Sequence, residues 1–172
     1  ATFFVVGVHA EKHPELLKQI LAAGHGLGNH SYSHRIQDIY RNAEALLNDI
    51  FRCDRVLKSI SGQSPKIFRP PGGSRPYLKP ALKASLKEAG FRYHDWNVCP
   101  GDSLKNRPTL DSLVDITLMQ ASNKDRIVIL LHDSRTMQNT ILALPRIIDG
   151  LKEIGFSFAV ITEETEPIHF GQ

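Results

Sequence analysis

Cysteine is scarce in this 172-residue chain: Cys53 and Cys99 are too few for a disulfide framework, so a packed apolar core has to hold the fold. An excess of one charge is also missing. The 21 Lys and Arg face 18 Asp and Glu, leaving a formal +3. The basic residues are scattered among acids despite a sequence pI near 8.9, which gives no support to a nucleic-acid partner. No apolar stretch approaches the length that crosses a membrane. No Gly-x-Gly-x-x-Gly follows a strand pattern; Gly24-x-Gly26-x-Gly28 precedes one instead, which argues against a dinucleotide fold. Finally, no Asp-Asp pair occurs anywhere in the chain.

What is present suits one domain over residues 1–172, with 41% hydrophobic content to fill a core. A unit recurs: Leu17 to Gly24, Leu86 to Phe91 and Leu151 to Phe156 each read as an apolar helix end stopped by glycine and followed by a short strand. Pro14 and Pro80 mark helix starts. Further helices are predicted over 42–60, 109–121 and 139–154, the last interrupted at Pro145. Leu46, Leu47, Ile50, Phe51, Leu57 and Ile60 lie near one face of the first of these. Strands are predicted over 1–7, 26–30, 67–69, 91–96, 127–131 and 157–161. The first begins at Ala1 with no turn, cap or lead-in, as though it lay in the middle of a domain, and more chain is expected ahead of it.

Alternating strands and helices argue for a parallel α/β sheet, since short apolar strands need helical cover on both faces or closure into a barrel. The barrel is favoured by position. His30, Arg69, the segment Trp96 to Asp102, and His132 all fall at or just past predicted strand ends, where barrel enzymes collect their chemistry.

His30 and His34 stand four apart in His30-Ser31-Tyr32-Ser33-His34, so one turn of helix or helix-like loop turns both imidazoles toward one cation at roughly 2.0 to 2.1 Å. The small residues of Gly24-His25-Gly26-Leu27-Gly28 let backbone approach such a site closely, and Ser31 and Ser33 can pin the turn by local hydrogen bonds. Asn29-His30-Ser31 formally matches a glycosylation sequon, which a metal-site reading discounts.

Four motifs in order resemble the carbohydrate esterase family 4 polysaccharide deacetylases, also called the NodB homology domain. His30-Ser31-x-x-His34 looks like the metal motif and Phe68-Arg69-Pro70-Pro71-Gly72-Gly73 like the arginine-proline motif. Trp96 to Asp102 is similar to the aspartate segment, and Leu130-x-His132 to the final motif. The resemblance covers the whole chain. It implies a distorted parallel barrel, (β/α)7-like, and hydrolysis of an N-acetyl (or O-acetyl) group from a GlcNAc-containing polysaccharide such as peptidoglycan or chitin oligomers. It implies a divalent metal, zinc before cobalt or nickel, on His30 and His34. His132 is the implied acid, held by Asp102, and Arg69 orients a base. Gly72, Gly73, Trp96 and Leu130 are the implied substrate contacts, with a backbone amide near Gly72 as oxyanion donor. The implied location is extracellular or at the bacterial cell surface.

The chain departs from that pattern in three places. The family's first motif, Thr-Phe-Asp-Asp-Gly, supplies the base and a metal ligand; without it the first β/α unit of the barrel is expected to be missing, and the open edge to favour self-association. Ser103 stands where an aromatic wall is usual and Gly72 where tyrosine is common, which predicts a more open sugar groove. Two rival readings follow: a carbohydrate-binding remnant without chemistry, and another barrel hydrolase using His30, His34 and a carboxylate such as Asp133.

Overall fold

A computed structural model describes residues 1–171. The chain divides into two compact units, one formed by Ala1–Asp95 with the chain from Ala159 onward, the other by Trp96–Phe158.

The first unit is built on a parallel sheet of four strands in the order β1 (Thr2–Val5), β2 (Gly26–Asn29), β3 (Ile67–Phe68), β4 (Arg92–Tyr93). Thr2, Phe3, Phe4 and Val5 pair with Gly26, Leu27, Gly28 and Asn29, while Asn29 pairs with Phe68 and Phe68 with Tyr93. Because all four run the same way, their C-terminal ends lie on one edge, and His30, Arg69 and the His94-Asp95 pair follow directly from three of them. Helices α1 (Gly7–Lys12), α2 (Pro14–Ala22), α3 (Ile36–Ile39), α4 (Ala43–Ser61) and α5 (Pro80–Glu88) connect the strands. Helix α4 starts where the Asn42 side chain accepts from the Ala45 N–H, and it stops at Gly62 in the left-handed conformation. Leu46, Ile50, Cys53 and Leu57, spaced four, three and four apart, are all fully buried and divide between two core clusters, one around Phe68 and one around Leu27.

Gly28 has a packing reason. A Cβ there would stand 2.5 and 2.6 Å from two ring carbons of Phe4, so the glycine makes room for that ring rather than for a ligand.

In the second unit α6 (Leu110–Ala121) and α7 (Gln138–Glu153) pack together through Leu113, Val114, Ala121, Ala143, Ile147 and Leu151, with Ile127 and Ile129 against them. Thr109 caps α6 by accepting from the Ser112 N–H.

The recurrent glycine stops hold: Gly24, Gly90 and Gly155 have φ of 75°, 79° and 96°. Other expectations need correction. Helix α7 runs unbroken through Pro145, which lies on its exposed face; proline donates nothing to the Ile141 carbonyl one turn back, and Ile141 is itself exposed, so the bend a buried proline would force is not required. The predicted strand 91–96 shortens to Arg92–Tyr93. Residues 127–131 form no strand, making one parallel bridge between Ile129 and Val98. Residues 157–161 form none either, with Phe158 53% exposed; where the segment meets β1, the Ile161 N–H donates to the Thr2 hydroxyl at 2.7 Å instead of joining a backbone ladder. Helices α1 and α3 went unpredicted, being too short to show a period.

Candidate active site

The loop after β2 brings the two motif histidines together, with ring centroids 4.9 Å apart at 65°. It is not a helical turn. Ser31 and His34 sit in the left-handed region, at φ 67° and 57°, a conformation costing about 1 kcal/mol or more for a residue with a Cβ, so the surroundings must hold it. They do so from several sides. The Ser31 N–H donates to Asn29 Oδ1 at 2.9 Å, and Ser31 Oγ accepts from the His34 N–H at 3.0 Å. Asp49 Oδ1, on α4, accepts from the Tyr32 and Ser33 N–H groups at 2.6 and 3.1 Å. At the N-terminus of α1 the Gly7 and Val8 N–H groups donate to the Ser31 and Tyr32 carbonyls. Asn29 is fully buried and donates to the Ile50 carbonyl, which removes the sequon from consideration as a sugar acceptor.

His30 Nδ1 lies 2.7 Å from the Arg69 carbonyl. A carbonyl only accepts, so Nδ1 carries the hydrogen, and in the neutral ring Nε2 is then the lone-pair nitrogen. Two imidazoles so disposed fit a zinc-type ion in donor chemistry. Among the described residues no group of three or more His, Cys, Asp and Glu side chains could share one ion. The pair therefore accounts for half of a tetrahedral shell.

Arg69 is 7% exposed, its guanidinium 4.2 Å above the Phe4 ring. Its Nε and Nη2 donate to the His94 and Asp95 carbonyls, each at 3.4 Å. Burial pushes the guanidinium down to about 10, opposed by the Asp95 charge, so it stays charged at neutral pH. Asp95 is itself fully buried. It accepts from the Ser74 N–H at 2.8 Å, the Ser74 hydroxyl at 2.6 Å and the Phe170 N–H at 3.1 Å. Between Arg69 and Ser74 the chain turns sharply: the Gly73 N–H donates to the Pro70 carbonyl at 2.8 Å, and Gly72 and Gly73 have φ of 77° and 84°, where glycine is at ease. The space beside Gly72 is not open as expected, because a Cβ there would stand 2.7 Å from Tyr77 Cε2 and 3.1 Å from Ile36 Cδ1.

The second unit holds the other charged pair. His132 Nδ1 lies 2.8 Å from Asp102 Oδ1, and the His132 N–H donates to Oδ2 at 2.7 Å. The Thr140 hydroxyl adds a third bond, to Oδ2 at 3.1 Å. Burial by itself would raise the Asp102 carboxyl, yet the hydrogen bonds from the His132 ring and backbone outweigh it and hold the group below the ordinary carboxylate range. The imidazole is 40% exposed while Asp102 is almost wholly covered, so Nδ1 is fixed and the far edge of the ring faces outward. The Leu130 N–H donates to the Val98 carbonyl at 2.9 Å, which aligns 128–132 beside 97–98; Trp96 and Leu130 are half-buried, and Ser103 and Asp133 are exposed.

Asn29, Asp49 and Asp95 were not read from the sequence as site residues. Asn29 and Asp95 were adjacent to motifs and gave a weak positional signal. Asp49 lies within a helix pattern and gave none.

A parallel α/β sheet with an arginine and a paired-histidine loop at its C-terminal edge, and a carboxylate-buttressed histidine elsewhere in the chain, defines a NodB-type hydrolase fold. The polysaccharide deacetylase family model matches residues 1–94, and the chain belongs to that family, carbohydrate esterase family 4. It is 34% identical over 174 residues to a peptidoglycan-N-acetylglucosamine deacetylase of Bacillus cereus, the match taking in 99% of this chain and 63% of that relative's length. A chitooligosaccharide deacetylase of a Bradyrhizobium strain is 31% identical, across 91% of this chain and 74% of its own. The crystal structure of the polysaccharide deacetylase Bc1974 from Bacillus cereus superimposes with a TM-score of 0.90 at 34% identity, over 99% of this chain and 83% of that one.

Proposed function

We propose that the chain is part of a metal-dependent hydrolase that removes N-acetyl groups from a GlcNAc-containing polysaccharide, of the peptidoglycan or chitin-oligomer kind. The observation that carries this is the His132–Asp102 pair: an imidazole held at Nδ1 by a buried carboxylate, with its outer edge exposed, is built to hand over a proton. Amide cleavage needs such a group, because an amine leaves readily only when protonated. Asp102 fixes the tautomer and the orientation of the ring, its Oδ1 2.8 Å from Nδ1 and its Oδ2 accepting from the His132 backbone N–H.

His30 and His34 would hold the divalent ion, zinc before cobalt or nickel, which when bound polarises the acetamide carbonyl and makes water more acidic. The Arg69 carbonyl fixes the His30 tautomer for that task, while the buried guanidinium is held by the Phe4 ring and the His94 and Asp95 carbonyls. No Asp-Asp pair occurs among the 172 residues, so the general base is not assigned within them. Assembled peptidoglycan lies outside the cytoplasm, and for a substrate of that kind we propose a location at the cell surface or beyond it.

A second reading, a carbohydrate-binding protein without chemistry, draws on the two-imidazole donor set among the described residues. The test uses protein carrying an Asp-Asp segment ahead of Ala1, loaded with zinc and given acetylated chitooligosaccharide. Acetate release is expected, falling roughly 100- to 10,000-fold in His132→Ala with zinc retained. His34→Ala is expected to lose the zinc. No acetate from the parent protein would hand the case to the binding reading.

A further inference from the structure

The turn that fixes His30 also builds an aromatic surface. Arg69, whose carbonyl holds the His30 ring, opens the segment Arg69-Pro70-Pro71-Gly72-Gly73, and the Pro70 to Gly73 turn presents the Gly72 Cα to the edge of the Tyr77 ring. Glycine is required here twice over: φ is 77°, and any Cβ would strike Tyr77 at 2.7 Å. Tyr77 stacks on Tyr40, with centroids 5.1 Å apart and planes 8° from parallel. Tyr40 is pinned in turn, its hydroxyl donating to the Pro71 carbonyl at 2.9 Å, and burial pushes that hydroxyl far above the ordinary tyrosine range, so it remains a neutral donor. Ile36, two residues past His34, closes the cluster against Gly72. One short turn thus carries the anchor of a metal-type histidine and locks an aromatic ring in place.

We propose that Tyr77 is a sugar-binding residue of this site, offering its half-buried ring to the apolar C–H face of a pyranose in the polysaccharide. The proposal rests on the reading above that the site takes a GlcNAc-type chain. A ring held by an aromatic neighbour and by backbone loses little freedom when a ligand arrives, the property that makes tyrosine an effective contact residue. Tyr40 is its support, and Gly72 is the small residue that lets Tyr77 lie over the turn. The space expected to be open beside Gly72 is in this way lined from a different point in the chain.

The test is binding of N-acetylchitopentaose to the 172-residue chain, followed by NMR on protein with labelled tyrosine rings. The chain holds four tyrosines, so Tyr77→Phe assigns the Tyr77 signals by their loss. The expected result is a saturable shift of the Tyr77 ring signals and a Kd that Tyr77→Phe changes less than twofold. Tyr77→Leu, which keeps apolar volume but removes the ring, is expected to weaken binding about tenfold while circular dichroism stays native-like. A wild-type chain that binds the sugar with the Tyr77 signals unmoved, or with Tyr77→Leu unchanged in Kd, overturns the proposal and leaves the functional reading standing. A wild-type chain that binds no oligosaccharide overturns both. Should Tyr77→Leu fold poorly, the ring shifts in the wild-type chain decide.

Discussion

Asp102 shows how much one side chain arranges. It receives three hydrogen bonds, two of them from His132, and these keep it ionised in spite of burial. The sign of the linked stability follows. A carboxyl whose folded pKa lies below its unfolded value of about 3.9 contributes stability above about pH 4 and loses it as pH falls through the folded value. Asp102→Asn is therefore expected to lower unfolding stability by about 1 to 3 kcal/mol at pH 7, the range for a buried hydrogen-bonded charge, and the gap from wild type should close toward pH 2. Urea unfolding at pH 7, 5, 3 and 2 measures this, and a gap that stays constant would mean that the carboxylate charge plays no part. Cys53 is the opposite kind of buried group. Burial pushes its thiol up to about 12, so it fills space near Leu57 and is not a nucleophile.

At the scale of elements, whatever depends on local chemistry was legible in the sequence. Glycine stops at Gly24, Gly90 and Gly155, proline starts at Pro14 and Pro80, and the apolar stripe of α4 were all read correctly, because a cap or a face is decided within a few residues. The strands at 1–7, 26–30, 67–69 and 91–96 were legible too, though each was read longer than it is, whereas the apolar runs at 127–131 and 157–161 form none, since a strand exists only where a neighbour accepts its ladder and a local run carries no mark of that. The histidine pair was found by spacing. The left-handed turn that unites the rings was not, because it depends on Asn29, on Asp49 from α4 and on the N-terminus of α1. The contact between β1 and β2 was equally hidden. Gly28 admits Phe4, and Phe4 carries the Arg69 guanidinium on its ring face. Gly28→Ala is expected to displace that ring and destabilise the first unit by about 1 to 3 kcal/mol, with zinc affinity falling as the Arg69 carbonyl shifts under His30. Thermal unfolding and zinc titration of the variant check both effects; an unchanged midpoint would show that Phe4 can turn away at no cost.

At the scale of the whole chain, the order of the sheet matters for association. β1 is an edge strand of the described sheet, paired only with β2 among the described strands. Its residues, Thr2-Phe3-Phe4-Val5, are uncharged, favour strands and contain no proline, the composition that pairs with another chain when an edge stays open. Natural edges are commonly blunted by a lysine, and β1 has none. The 172-residue protein is therefore expected to self-associate in a concentration-dependent way, through pairing of β1 with β1 of a second copy. Phe3→Lys puts a charge in the middle of that edge and should shift the protein toward monomer while the far-ultraviolet spectrum stays native-like. Multi-angle light scattering from micromolar to millimolar concentration separates the cases. A wild-type species that holds the monomer mass of 19.3 kDa throughout would show that the edge is already covered, and association that survives Phe3→Lys would move the interface away from β1.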